Sequence, residues 1–295
     1  MTGYHAGELT VQRRMGQTEI AARVGRMIRT EIPAAAAAFL VEQPMVVLAA
    51  TDDAGRVWAS LVTGPTGFVH ADDDQTIAVD AQPVTGDPLH DVLRRPDQQV
   101  GMIALEPQTR RRMRVNGRAQ PTEDGLRIQP DQVYSNCPKY ISRRHIEDVA
   151  HVASLPVVRR ADVLDERTQQ VIARADTFFI GSADPEGNAD ASHRGGNPGF
   201  LQVLSPGRLR WPDYRGNSMF MTLGNISVNP RCGLLIPDWD TGTTIQLTGT
   251  AEIIWDEGPH CAVEFTVDEV IELTDVSPLR WSRAELSPAN PALTA

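Results

Sequence analysis

The chain has almost no lysine, few aromatic residues and no long apolar segment. Lysine occurs once, at Lys139, so nearly all of the 28 basic residues are arginines, and 38 acidic residues give a formal net charge of −10. An acidic chain does not present the broad cationic surface that nucleic acids and anionic membranes bind. No run approaches the roughly 18 apolar residues of a membrane span, and Met1–His5 lacks the pattern of a signal peptide. We therefore expect neither a nucleic acid nor a membrane as a partner.

Cysteine is also scarce. Cys137, Cys232 and Cys261 are odd in number and far apart, which excludes a disulfide framework and is typical of reduced thiols in a cytoplasmic protein. Three separated cysteines cannot hold an iron–sulfur cluster. The 7 histidines show none of the spacings of a zinc site. The sequence thus predicts a cytoplasmic location and no metal.

The chain does contain an internal repeat. Shifting residues 46–119 by 132 positions onto residues 178–251 aligns 11 identical residues, of which 5 are glycines. Composition alone would give roughly five identities, but glycine marks positions where the backbone needs a positive φ or a close approach. Apolar character is kept between these positions, as at Val115 and Leu247. The repeat predicts two similar domains that could build one site between them.

Each copy has the pattern of a small β-barrel, because short strand-like runs alternate with glycine turns and include only one or two helices. In the first copy we predict strands over 46–51, 56–63, 76–81, 100–106 and 113–120 and helices near 87–94 and over 141–147, while residues 126–133 match the last element of the second copy. In the second copy we predict strands over 177–183, 188–194, 200–204, 208–212, 231–236 and 243–255, helices over 164–175 and 218–227, and a strand or helix over 262–273.

The resulting division is an N-terminal arm plus the first barrel at 1–147, a linker at 148–160, the second barrel at 161–276 and a tail at 277–295. The fold class is mainly β. The alternating arginines of 110–114 are expected to form salt bridges between the barrels, or alternatively to reach a phosphate from Arg112 or Arg114.

Several strings in both copies are specific enough to compare with known families. The second copy carries DASHRGGNPGF at 190–200, WPDY at 211–214, GNSMF at 216–220, TLGN at 222–225 and NPR at 229–231. The first carries YHAGE at 4–8, RRRMRVNG at 110–117 and NCPKYI at 136–141. Together they resemble the pyridoxamine 5′-phosphate oxidase-like family of FMN-binding split barrels, in its tandem-domain branch.

That resemblance implies paired antiparallel split barrels with FMN in the groove between them, here within one polypeptide. A monomeric pseudo-dimer with one FMN and a homodimer of chains both remain open. Cofactor-binding residues are then expected at Ser192, Arg194, Asp213, Tyr214, Arg215, Asn217, Ser218, Thr222, Gln246, Lys139 and Tyr140, with His193 as a catalytic proton donor.

One departure bears on the cofactor. Members with confident FMN binding carry an arginine–lysine pair at the start of the helix that ends in NPR, whereas Met221 and Thr222 stand there in this chain. Arg194, Arg215, nearby hydroxyls and the helix N-terminal amides would hold the phosphate instead.

The expected function is that of an FMN-dependent oxidoreductase acting on a small organic substrate, with NAD(P)H or a separate reductase exchanging electrons with the flavin. The missing pair would also suit deazaflavin F420 or haem, and haem would make His193 the first candidate for an axial ligand. A non-catalytic scaffold that only keeps the fold is the remaining alternative.

Overall fold

The computed structural model describes residues 3–151 and 155–292, and two curled antiparallel sheets dominate it. The first sheet contains β1 (Met45–Thr51), β2 (Val57–Thr63), β3 (Val69–Ala71), β4 (Ile77–Val79), β5 (Gln98–Glu106), β6 (Arg111–Pro121) and β7 (Leu126–Ser135). The connecting segment carries β8 (Ile146–Val149) and β9 (Val158–Ala161). The second sheet contains β10 (Thr177–Ala183), β11 (Ala189–Gly195), β12 (Gln202–Ser205), β13 (Arg208–Pro212), β14 (Arg231–Pro237), β15 (Thr244–Trp255) and β16 (Cys261–Leu273), and β9 joins it by pairing with β16.

The two sheets share one topology. The first has the strand order β2-β1-β5-β6-β7-β4-β3 and the second has β11-β10-β14-β15-β16-β13-β12. Even an irregularity recurs, because the pairing register shifts between Asn116 and Gly117 in one copy and between Thr248 and Gly249, 132 residues later, in the other. The predicted duplication of a split barrel is confirmed.

Within the described residues, five α-helices flank the sheets: α1 (Ala6–Arg14), α2 (Thr18–Gly25), α3 (Ala34–Val41), α4 (Glu166–Arg174) and α5 (Met221–Val228). The His5 side chain accepts a bond at the start of α1 and the Glu8 carboxylate accepts the His5 N–H, which forms a capping box. The arm crosses to the second barrel, where Gln12 donates to the Met219 carbonyl. None of the helices in the described ranges is long and apolar enough to cross a membrane.

Two predicted helices are wrong. Residues 87–94 form only a 3₁₀ turn at Val92–Arg94. Residues 141–147 form no helix: Arg143 makes an isolated bridge to Glu285, and Ile146 begins β8, which pairs with β17 (Leu279–Trp281) of the C-terminal tail. The helix α3 was not predicted, and residues 262–273 lie in a strand. Residues 1–2 of the predicted arm, 152–154 of the linker and 293–295 of the tail lie outside the described residues.

The barrels meet through β1, β2 and β5 of one copy and β10, β11 and β14 of the other. Two glycines let their backbones touch. A Cβ added at Gly101 would lie 2.6 Å from the Asp190 Cα, and one at Gly233 would lie 2.6 Å from the Trp58 Cα. Shifting the residue numbers of one contact by 132 gives the other contact. The two barrels are therefore related by a pseudo-twofold axis, and each uses the same surface at the interface.

Candidate functional site

A groove opens between the barrels where β5 and β6 of the first meet β11, β13 and α5 of the second. We call it the interbarrel groove. The first half contributes Ile103, Arg112, Arg114, Asn136 and Tyr140 to its walls. The second contributes Ser192–Gly195, Phe200, Pro212–Tyr214, Gly216–Ser218 and Phe220–Leu223. Both barrels are therefore required to complete this one site.

Strand periodicity explains which side chains share a wall. Successive side chains of a strand point to opposite faces, so Arg112 and Arg114 lie on one face of β6, and Ser192 and Arg194 lie on one face of β11. Arg194 also donates to the Ser192 Oγ at 2.8 Å, which holds its guanidinium against the strand.

The groove holds more positive charge than its carboxylates neutralise. Arg114 forms a buried ion pair with Asp190, and Arg194 lies 3.9 Å from Asp213. Arg112 has no carboxylate partner in the described part of the chain. Burial, with Arg194 and Arg114 close by, lowers the pKa of Arg112 to about 9, so it is still a cation at neutral pH. An anionic ligand would complete the charge balance.

Buried polar atoms without partners also gather around the groove. They are the Nε atoms of Arg112, Arg114 and Arg194, the Nε2 atom of His193 and the Oδ1 atom of Asn136. A buried polar group left unpaired costs about 1–3 kcal/mol. Several such groups around one groove indicate a surface shaped to hydrogen-bond a ligand.

The protonation state of His193 follows from its neighbour. The Arg112 Nη1 lies 2.8 Å from the His193 Nδ1, and because arginine only donates, Nδ1 accepts and the proton lies on Nε2. Burial, together with Arg112, Arg194 and Arg144, lowers the pKa of His193 well below its usual value. His193 is thus a neutral ring with one N–H to offer, packed edge-on against Phe179 at 5.6 Å between ring centroids.

The polar residues at the start of α5 line the groove, but the protein already uses them. Thr222 donates to the Asp190 carboxylate at 3.3 Å, and Ser218 donates to the Gln17 Oε1 at 3.1 Å. The Asn217 Oδ1 accepts the Met219 N–H. They are positioned to shape the turn into α5, where Ser218 has a φ of 63°.

Aromatic side chains flank one side of the groove. The rings of Tyr140 and Tyr214 lie 5.1 Å apart, and the Tyr140 hydroxyl donates to the Arg215 carbonyl at 3.0 Å. The side chains of Lys139 and Arg215 are exposed and do not line the groove. Of the predicted site residues, these two are near the groove but outside its walls.

Gln246 lies elsewhere. It is fully buried and donates to the Ala59 carbonyl, the Ser60 Oγ and the Asp87 Oδ2 at 2.9–3.0 Å. Under the repeat, Gln246 is the counterpart of Arg114. The structure therefore places it in the second, pseudo-symmetric groove and not with the other predicted residues.

Sequence reasoning left two wall residues, Arg112 and Arg114, without a firm role, and also Asp190, which pairs with Arg114. The available signal was the i, i+2 spacing of the arginines on a strand, which puts both on one face. What the sequence could not show is that this face opposes Ser192–Arg194 across the barrel interface.

The family model described as pyridoxamine 5′-phosphate oxidase matches the chain twice, at residues 32–137 and 164–267. No curated protein matches the chain in sequence. Two similar solved structures are a protein related to general stress protein 26, of the pyridoxinephosphate oxidase family, from Clostridium acetobutylicum, and HutZ, the haem storage protein from Vibrio cholerae. The first is 12% identical, covering 40% of this chain and 92% of that one with a TM-score of 0.31. The second is 8% identical, covering 38% and 94% with a TM-score of 0.29.

A third similar structure is an FAD-binding protein from Mesorhizobium loti, 12% identical, covering 40% of this chain and 99% of that one with a TM-score of 0.28. The two matches to the family model together span more than half of the chain; the first contains the whole first sheet and the second contains the second sheet from β10 to the middle of β16. The chain therefore belongs to the pyridoxamine 5′-phosphate oxidase family, with the family's domain present in two copies.

Proposed function

We propose that the interbarrel groove binds FMN and that the protein is an FMN-dependent oxidoreductase of a small organic substrate. The observation that carries the proposal is the cluster of Arg112, Arg114 and Arg194, whose Nε atoms are buried and unpaired in a groove with surplus positive charge. A phosphate or a flavin carbonyl oxygen accepts from guanidinium groups, and such charge-assisted bonds are the strong ones.

The roles of the chain's own residues follow from the geometry. Arg112 and Arg194 would hold anionic or carbonyl oxygens of the cofactor, and the His193 Nε2–H would donate to it as a neutral group. Tyr140 and Tyr214 would flank it, while Asp213 keeps Arg194 oriented. When bound, the flavin supplies hydride or single-electron transfer. NAD(P)H or a separate reductase is proposed as its electron partner.

The haem alternative is disfavoured by the tautomer of His193. A metal-ligating histidine donates its second ring N–H to an acceptor, whereas the second nitrogen of His193 faces the Arg112 guanidinium, which is a donor. The proton is thereby held on Nε2, the atom that would bind the iron. Deazaflavin F420 carries a phosphate as FMN does, so the cofactor titration distinguishes the two.

The test is a titration of the purified full chain with FMN and with F420, followed by the change in visible absorbance. We expect FMN to bind, and Arg194→Ala or Arg112→Ala to weaken binding at least tenfold, about 1.4 kcal/mol. Asn217→Ala is expected to weaken it as well, since this residue fixes the turn into α5. Arg174→Ala, which changes an exposed arginine of α4, is the matched control.

Affinity for FMN that is unchanged in both Arg112→Ala and Arg194→Ala would contradict the assignment of the groove. Binding of F420 without binding of FMN would show that the cofactor is F420, and the groove would remain its proposed site. Binding of neither cofactor would support the alternative that the protein is a non-catalytic scaffold.

A further inference from the structure

A second, larger cavity adjoins the interbarrel groove. It lies between residues 26–39 of the N-terminal segment and β6 and β7, and we call it the arm pocket. Its volume is about 670 Å³, within the usual range for small-molecule sites. Apolar side chains form much of its surface, among them Ala36, Phe39, Met113 and Val133.

The charge of the arm pocket is opposite to that of the chain. Its walls carry five arginines, Arg26, Arg29, Arg110, Arg111 and Arg112, and no aspartate or glutamate, although the net charge of the chain is −10. Two of the five are neutralised from outside the pocket, Arg110 by Glu285 and Arg111 by Glu106.

The other three, Arg26, Arg29 and Arg112, form no ion pair within the described ranges. Cationic side chains around an apolar cavity match a ligand that has an apolar body and an anionic group. Arg111 also lies over the Phe39 ring at 5.3 Å, which keeps that aromatic surface in place.

The arm pocket and the interbarrel groove share two wall residues, Arg112 and Asn136. A molecule in the arm pocket whose anionic group reaches Arg112 would therefore place its polar end beside the groove. Arg112 also fixes the His193 tautomer, so the same guanidinium connects the two cavities.

We propose that the arm pocket is the substrate pocket and takes an organic acid with an aromatic or aliphatic body, held by Arg26, Arg29 and Arg112 next to the interbarrel groove. Its role as a substrate pocket rests on the proposed function, whereas its binding of organic anions does not.

Calorimetric titration of the full chain without added flavin tests the anion pocket directly. The ligands are 2-naphthoate and its neutral analogue 2-naphthamide. We expect the naphthoate to bind at least tenfold more tightly, and the double variant Arg26→Gln/Arg29→Gln to lose at least fivefold of that affinity. Arg23→Gln, at an exposed arginine of α2 outside the pocket walls, is the control and is expected to bind as the unchanged protein does.

Equal affinities for the acid and the amide, or equal affinities of the double variant and the control, would overturn the arm pocket as an anion site. FMN affinity is measured on the same variants and is expected to be unchanged in the double variant. A protein that binds naphthoate but not FMN would contradict the proposed function while supporting the anion pocket. With FMN bound, naphthoate is expected to shift the flavin absorbance; a band that does not move would overturn the placement of the substrate beside the groove.

Discussion

Single side chains in this protein have their chemical state set by contacts that cross between the barrels. His193 belongs to the second barrel, but Arg112 of the first determines which of its nitrogens carries the proton. Asp190 of the second barrel likewise neutralises Arg114 of the first. The sequence SHRGG alone indicated a functional site. It did not indicate which residues contact that site, because no local pattern connects Arg112 with His193.

The first prediction concerns that contact. Arg112→Met removes a cation beside His193 while keeping an apolar side chain of similar length, so we expect the pKa of His193 to rise. It is expected to stay below the usual value because burial, the main cause of the lowering, remains. Imidazole ¹H–¹⁵N NMR reads both the pKa and the tautomer. A ring with its proton on Nδ1 in the unchanged protein would refute the assignment.

The second prediction is that Glu8 makes the stability of the protein depend on pH. Glu8 is buried in the arm, and burial raises its pKa to about 7 against the lowering effect of the bond from the His5 N–H. A carboxyl whose pKa is raised on folding stabilises the fold below its unfolded pKa and loses that contribution as the pH rises through about 7. The free energy of unfolding is expected to fall by on the order of 3 kcal/mol over this pH range.

Glu8→Gln cannot ionise, so its free energy of unfolding is expected to depend less on pH. Urea unfolding at pH 5 and at pH 8 measures the difference, and the advantage of the variant is expected to grow at the higher pH. The exposed Glu19→Gln on α2 serves as the control. Parallel changes with pH in the Glu8 variant and the unchanged protein would show that Glu8 is not the responsible group.

Elements within one barrel are encoded locally, and elements that join the barrels are not. The sequence predicted β10 and β13 to the residue, since strand alternation and glycine turns decide hairpins. It failed at residues 141–147, whose basic, helix-like pattern is overridden when β8 pairs with β17, more than 100 residues away. A long-range partner strand leaves no local signal.

The third prediction tests the glycine contacts between β5 and β11 and between β14 and β2. Gly101→Ala and Gly233→Ala would each force a Cβ to within 2.6 Å of backbone carbon of the other barrel. Overpacking of this kind costs about 1–3 kcal/mol, and we expect the upper part of that range because a backbone cannot rotate away. Gly207→Ala is the control, since nothing lies within 4 Å of its added Cβ. Urea unfolding that gives equal losses for all three variants would contradict the interface geometry.

The whole molecule is a pseudo-dimer whose two grooves have diverged. The three arginines and His193 of the interbarrel groove have uncharged counterparts 132 residues away: Thr244 for Arg112, Gln246 for Arg114, Val62 for Arg194 and Leu61 for His193. All four counterparts are buried. The repeat revealed that two grooves exist, but only the structure shows that one of them is closed.

Two groups of side chains fill the second groove. Gln246, Ser60 and Asp87 form a buried hydrogen-bonded set. Leu61 lies in one apolar cluster with Leu279 and Trp281 of the tail, and the space left beside them is about 10 Å³, no more than the roughly 10–15 Å³ that a single water molecule needs.

We therefore expect each chain to bind one FMN. A pseudo-dimer with two equivalent grooves would bind two, but the second groove has neither space nor arginines. Titration of a known concentration of chain with FMN is expected to reach its end point at one equivalent. Shortening the chain after Val276 removes Leu279 and Trp281 and opens space, yet the end point is expected to stay at one because the cations are still missing. Two equivalents in the shortened chain would show that space, and not the arginine cluster, decides where FMN binds.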